Sequence, residues 1–335
     1  MPYNELSTSM EHLLQPGKGL LAADESVTTL GKRFEKIALD NTAENRCAYR
    51  ALLAETPGLN AYIHGVILHE ETFQQHTKDG ARITSLFQDQ GILTGIKVDQ
   101  GLDFFPNSEH EKITLGLDGL SARLEHFKAQ GARFAKWRNV YQISDFTPSH
   151  AAIRTGADTL ARYAATCQAM GIVPIVEPEV LMDGIHSIED CADATEIVLH
   201  ELFHALFLHR VELELMILKP NMIIAGTDNL STNCAEDIAD YTINVFRNTI
   251  PAAVPSIMFL SGGQTPAQAT ENLNTMQQLD TQPWQLSFSY GRALQSECLA
   301  QWQGNHTQAA QTALLHRARL LHLACLGEYE PAMEF

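Results

Sequence analysis

The sequence predicts an α/β fold, a (β/α)8 barrel with extra helical segments at both ends, on three observations. Short apolar runs rich in Val, Ile and Leu recur about every forty residues, eight in all. Amphipathic, helix-like stretches fill the intervals. Each run stays apolar until its last residues and then presents a charged or small polar group.

The eight runs are GLLAADE (19–25), YIHGVILH (62–69), ILTGIKVD (92–99), RFAKWRNV (133–140), GIVPIVEPE (171–179), LELMILKPN (213–221), SIMFLSGG (256–263) and WQLSFSYG (284–291). They are continuous rather than alternating, which suits strands buried on both faces. Between them, 119–130 and 157–170 read as helices stopped by Gly131 and Gly171. A doubly wound sheet would carry a GxGxxG loop after its first strand, and none is present. No linker or low-complexity segment divides residues 1–335, so one domain is expected, with a C-terminal tail from about residue 328.

Composition narrows the function. The chain has 23 basic and 40 acidic residues, a formal charge of −17. Nucleic acid and anionic membranes favour basic surfaces and are not expected partners. The sequence has no run of about 18 uncharged apolar residues, and its N-terminus lacks the layout of a secretory signal. Six cysteines lie far apart with no CxxC spacing, as for free thiols in a reducing, cytoplasmic compartment. In so acidic a chain, a gathering of cations needs a reason.

Such a gathering occurs at the strand ends. Asp24, Lys97, Lys136, Glu177, Lys219, Ser261 and Ser289 close seven of the runs. In a barrel these positions converge on the C-terminal rim, where active sites of this fold sit. A single charge at a strand end is most simply a solvated loop start, but seven together, three of them lysines, are not. Lys136 and Arg138 are two apart, as are Glu177 and Glu179, so each pair faces one side of its strand. The rim offers cations for phosphate, carboxylates for proton transfer and a lysine nucleophile. SGGQ (261–264) and SYGR (289–292) add backbone N–H groups near the last two strands, a common phosphate site of barrels, and Arg292 adds charge. An anionic, phosphorylated carbonyl substrate fits this set.

With those residues in view, the chain closely resembles the class I fructose-1,6-bisphosphate aldolases. The likeness runs from about Pro16 to about Tyr329, through PGKGLLAADES (16–26), NTAENR (41–46), GIKVD (95–99), GLDGLSAR (116–123), FAKWR (134–138), GIVPIVEPE (171–179), LKPN (218–221), FLSGGQ (259–264) and FSYGRAL (288–294). The resemblance implies a metal-free lyase, without cofactor, that reversibly cleaves fructose 1,6-bisphosphate to dihydroxyacetone phosphate and glyceraldehyde 3-phosphate in glycolysis and gluconeogenesis. Lys219 would form the imine with the substrate ketone, and Glu177 would be the acid/base for carbinolamine formation and dehydration. Asp24 would take the C4 hydroxyl proton, with Lys136 stabilising these charges. Ser261, Gly262, Gly263, Ser289, Gly291 and Arg292 would hold the C1 phosphate, with Arg33 and Lys97 toward the other phosphate. Arg46, Arg138 and Glu179 would contact substrate, as would Thr29, whose hydroxyl stands where the family has Thr-Gly-Ser and this chain has Val27-Thr28-Thr29.

By family analogy the chain would be a cytoplasmic homotetramer, and cytoskeletal binding would rest on analogy alone. Alternatives are the same chemistry on fructose 1-phosphate or sedoheptulose 1,7-bisphosphate, or a non-catalytic scaffold. Many animal members end in a mobile tail with a terminal Tyr that assists proton exchange on the enamine. This chain ends in Phe335, and its tail is expected to be catalytically passive. His200-Glu201-Leu202-Phe203-His204 matches the HExxH zinc-helix pattern, but no third ligand follows at the usual spacings and the segment precedes the sixth strand, on the outer ring. It reads as a surface helix.

Overall fold

The computed structural model describes residues 2–231 and 233–334. Ten strands form: β1 (Gly19–Ala23), β2 (Ile63–Leu68), β3 (Leu93–Lys97), β4 (Leu102–Phe104), β5 (Lys112–Thr114), β6 (Phe134–Tyr141), β7 (Val173–Val180), β8 (Ile217–Leu218), β9 (Ser256–Phe259) and β10 (Gln285–Tyr290). Eight of them close a parallel barrel in the order β1-β10-β9-β8-β7-β6-β3-β2. Every apolar run of the sequence coincides with one barrel strand, β6 and β7 each running one residue further. The β-branched and leucine side chains of alternate positions point inward and outward, and both directions are buried: all eight residues of β7 are covered.

β4 and β5 are an antiparallel hairpin in the connection after β3 that the apolar pattern does not predict. The expected helix at 119–130 forms as Leu120–Ala129. The one expected at 157–170 begins a full two turns earlier, as His150–Ala169, capped by the Ser149 side chain accepting from the Ala152 N–H. β8 is shorter than its run, because Leu213–Leu215 forms a 3-10 turn before it.

The N-terminal end of the barrel is closed by the first helix, Pro2–Leu13. Its Leu6, Met10 and Leu13 pack on the inward side chains Leu20, Ile67, Phe134, Val173, Ile175, Ile217 and Met258. Phe134 fills this layer so fully that a Cβ on Gly95 would lie 2.1 Å from its ring, so β3 needs glycine there. No helix among the described residues is long and apolar enough to cross a membrane. All six cysteines are free thiols.

Candidate active site

The other end of the barrel opens into a cleft of about 510 Å³. Strand register sets its floor. β3 and β6 pair with Lys97 beside Lys136, and β6 and β7 pair with Arg138 beside Glu177. The Lys219 N–H donates to the Val176 carbonyl at 2.8 Å, which carries the end of β8 up beside β7. Two-residue parity therefore delivers Lys136, Arg138, Glu177 and Glu179 to one cavity, as their spacing in the sequence requires.

Four charges, three of them buried and Asp24 half-buried, form a chain across this floor. Lys136 Nζ stands 2.8 Å from Asp24 Oδ2 and 3.1 Å from Glu177 Oε2. Lys219 Nζ is 3.2 Å from Glu177 Oε1. Lys136, Glu177 and Lys219 are each 4% exposed. Burial by itself would raise the Asp24 carboxyl, but Lys136 and then Lys219 outweigh it and hold the group well below the usual range. Glu177 is likewise lowered, burial opposing and Lys136, Lys219 and Arg138 prevailing. Burial favours the neutral amine of Lys136, yet Asp24 and Glu177 together raise it well above the ordinary lysine value. Above this floor Arg138 Nε pairs with Glu179, and that partner outweighs burial to raise the guanidinium further.

The cleft brings together Asp24, Thr29, Arg33, Lys97, Lys136, Arg138, Glu177, Glu179, Lys219, Ser261, Gly262, Ser289, Gly291 and Arg292. The Ser289 hydroxyl is buried and has no partner among the described residues. Two expected contacts are not in the lining. Gly263, the next residue, is exposed and outside the lining; at φ +74 and with Met182 behind it, it turns the loop. Arg46 is taken up by Glu71, 2.8 Å from its Nε and 2.6 Å from its Nη2, and by Asn41. It is a clamp between the helix Ala43–Ala54 and the short helix Glu70–Gln74 that follows β2. Arg33 lines the cleft from the helix Val27–Glu35. It pairs with Glu25, and its Nη2 comes within 3.7 Å of where a Cβ on Gly291 would sit, at the turn assigned to the C1 phosphate.

Several lining residues escaped the sequence reading: Glu25, Ser26, Lys32, Lys36, Asp99, Gly101 and Leu102. A signal existed for two of them. Thr29, Lys32, Arg33 and Lys36 follow i, i+3, i+4, i+7 spacing around the helix Val27–Glu35, one face of basic character. The HExxH segment, by contrast, lies on the outer helix Ile188–Leu208 with His200 and His204 exposed. Glu201 faces Arg154 there at 3.6 Å. Among the described residues no group of three or more His, Cys, Asp or Glu side chains could hold a metal ion.

Comparison with known proteins agrees with this geometry. Residues 5–334 match the family described as class-I fructose-bisphosphate aldolase. The fructose-bisphosphate aldolase of Dictyostelium discoideum is 48% identical over 331 residues, covering 97% of this chain and 93% of that protein. Fructose-bisphosphate aldolase 1 of Toxoplasma gondii is 49% identical over 97% of this chain and 91% of its own. Among solved structures, the Plasmodium falciparum fructose-bisphosphate aldolase in complex with TRAP and a small-molecule inhibitor superposes with a TM-score of 0.96 at 46% identity, covering 98% of this chain and 96% of that one.

Proposed function

We infer the roles of individual residues from the premise that this chain belongs to the class I fructose-bisphosphate aldolase family, lyases that cleave a phosphorylated ketose through a lysine Schiff base. Lys219 is the nucleophile. The observation that carries this choice is the unequal setting of the two buried lysines: Lys136 is clamped between two carboxylates and held as a cation, whereas Lys219 makes one ion pair among the described residues, with Glu177. Only a neutral amine can attack a carbonyl.

Attack of Lys219 Nζ on the C2 ketone gives a carbinolamine. Glu177, within 3.2 Å of that nitrogen, relays the proton from the amine to the departing hydroxyl, and water leaves. The iminium then accepts the electron pair of the C3–C4 bond while Asp24 takes the C4 hydroxyl proton. Its lowered range supports this role, because the group is ionised near neutral pH and ready as a base. Lys136 stabilises both carboxylates through the sequence. The buried, unpartnered Ser289 hydroxyl, the Ser261–Gly262 turn and Arg292 are suited to the C1 phosphate, and Lys97 to the distal one. Arg33 stands beside Gly291 while belonging, by resemblance, to the distal phosphate. If it serves the distal phosphate, Arg33→Ala weakens the bisphosphate far more than fructose 1-phosphate. Equal losses move it to the C1 site.

Borohydride reduction with dihydroxyacetone phosphate, followed by peptide mass mapping, should label Lys219. Lys219→Arg keeps the charge but stays protonated. Its turnover should fall by about a thousandfold or more, some 4 kcal/mol of barrier. Retention above about a tenth, under about 1.4 kcal/mol, assigns the nucleophile elsewhere. The proposal extends to one cytosolic domain assembled as a homotetramer, supported by family analogy and by the free cysteines, and checked by light scattering and cell fractionation.

A further inference from the structure

Lys97 sits level with Lys136 on adjacent parallel strands, which run about 5 Å apart. Like charges side by side in a sheet repel, so each lysine needs a counter-charge of its own. Lys136 has Asp24 and Glu177. Lys97 has Asp99, whose Oδ1 pairs with the amine while the Asp99 carbonyl accepts from it at 3.1 Å. The Gly101 N–H donates to the same Oδ1 at 3.3 Å, which fixes the carboxylate. Asp99 lines the cleft, yet its side chain is only 5% exposed, and its Oδ2 is buried without a hydrogen-bond partner among the described residues.

A buried carboxylate oxygen left unpartnered is costly unless positive charge surrounds it. Lys136, Arg138 and Arg123 all feel this carboxylate. The competing anion for Lys97 is Asp24, whose carboxyl already responds to the Lys97 charge across the cleft floor.

We propose that Asp99 is a positioning residue that holds Lys97 on the distal-phosphate side of the cleft and so keeps that cation off Asp24, the base of the cleavage step. The inference rests on the roles assigned above. Released from Asp99, Lys97 turns to Asp24, adds a second cation to the one supplied by Lys136 and blunts the ability of Asp24 to take the C4 hydroxyl proton. The loss falls on kcat, for a substrate with one phosphate as much as for one with two. A residue that merely aligned Lys97 for the distal phosphate would alter KM for the bisphosphate alone.

The experiment measures kcat and KM on fructose 1-phosphate and fructose 1,6-bisphosphate for wild type, Asp99→Asn, Lys97→Met and the double variant. Asp99→Asn should lower kcat on fructose 1-phosphate about tenfold, with KM within about twofold. In the Lys97→Met background the same change should be silent, the double variant matching Lys97→Met within about twofold. Wild-type kcat in Asp99→Asn overturns the proposal, as does a double variant about tenfold below Lys97→Met. Should Asp99→Asn not accumulate as folded protein, the comparison in the Lys97→Met background decides alone. Borohydride trapping of wild type runs in parallel: absence of label on Lys219 sinks the assignment of roles, whereas label on Lys219 with a silent Asp99→Asn sinks this inference only.

Discussion

Phe134 and Lys136 are two residues apart on β6, point into the same barrel and are almost equally buried, at 0% and 4% exposure. Phe134 lies in an apolar layer sealed by Leu6, Met10 and Leu13 of the first helix. Lys136 lies among Asp24, Glu177 and, through Glu177, Lys219. Burial of the first removes apolar surface from water and stabilises the fold by roughly 2–3 kcal/mol. Burial of the second desolvates charge, whose mutual attraction often only offsets that cost. One turn of strand thus separates the part of the barrel that supplies stability from the part that uses it for chemistry.

Cavity size does not mark that division. A hollow of about 660 Å³ beside the first helix, lined by Glu5, Glu125, Lys128 and Arg133 among others, is comparable in size to the cleft. Its one close pair, Lys128 with Glu5, is partly solvated, where a pair contributes little. The convergence of desolvated opposite charges, rather than volume, distinguishes the active end.

If the two ends are independent, they should break independently. Phe134→Ala leaves a cavity in the apolar layer and should destabilise the protein by about 3–5 kcal/mol. At a temperature where the variant is folded, kcat should stay within about twofold of wild type. Denaturant unfolding and steady-state rates on one preparation check both numbers. A tenfold fall in kcat at full folding would show that the plug also sets the geometry of Lys136, two residues along.

Acid should act on the two ends in different windows. His64, on β2 near the plug, is fully buried, and burial, aided by the charges of His12 and Lys18, lowers it from 6.5 to about 3. A depressed histidine contributes stability that is complete above the unfolded value of 6.5 and is lost as pH falls toward the folded value. Asp24 and Glu177 are depressed carboxyls, so their contribution is present above ordinary values of 3.8 and 4.5 and is lost only at lower pH. Between pH of about 7.5 and 5.5, His64 alone should remove about 1.4 kcal/mol. Denaturation midpoints measured across that span should slope in wild type and slope less steeply in His64→Gln, His69 and His186 being lowered by burial as well. An unchanged slope would assign the acid loss to another group.

What was legible in the sequence follows the same division. Barrel strands buried on both faces leave continuous apolar runs, and all eight were readable. The β4–β5 hairpin was not, because three-residue strands with Leu102, Asp103 and Phe104 exposed look like loop. The convergence of Lys219, Glu177, Asp24 and Lys136 on one cleft was legible because charge at the end of an apolar run is locally anomalous. Arg46 misled for the complementary reason: nothing local distinguishes an arginine aimed at phosphate from one paired with Glu71, 25 residues away. Asp99 was hidden in the quoted motif GIKVD, where its parity with Lys97 was the available clue.

The smallest expected effect concerns the C-terminal tail, which the sequence reading took to be passive. Phe335 lies outside the described residues, but the turn before it is tied down. Glu334 accepts from Arg317 through both oxygens, at 2.7 and 2.6 Å, and from the Tyr329 hydroxyl at 2.9 Å. Arg317 is only 2% exposed, and its other carboxylate, Glu297, stands 2.8 Å away on a neighbouring helix. Burial would raise the Glu334 carboxyl, but its bonds to Arg317 and Tyr329 hold it low. The tail is therefore a strut on the outer helices, and trimming it removes one of two counter-charges from a buried guanidinium. Because Glu297 remains, Glu334→Gln should cost only about 1 kcal/mol of stability near neutral pH. A depressed carboxyl contributes above its ordinary value of 4.5 and loses that contribution as pH falls through its folded value, so the gap between variant and wild type should close in acid. Cleavage and tritium exchange into dihydroxyacetone phosphate should both be unaffected. A Glu334→Gln protein of wild-type stability whose exchange had dropped a hundredfold would make this tail part of the proton-transfer machinery, joining an outer helix to the rim and erasing the separation drawn between structural and catalytic ends.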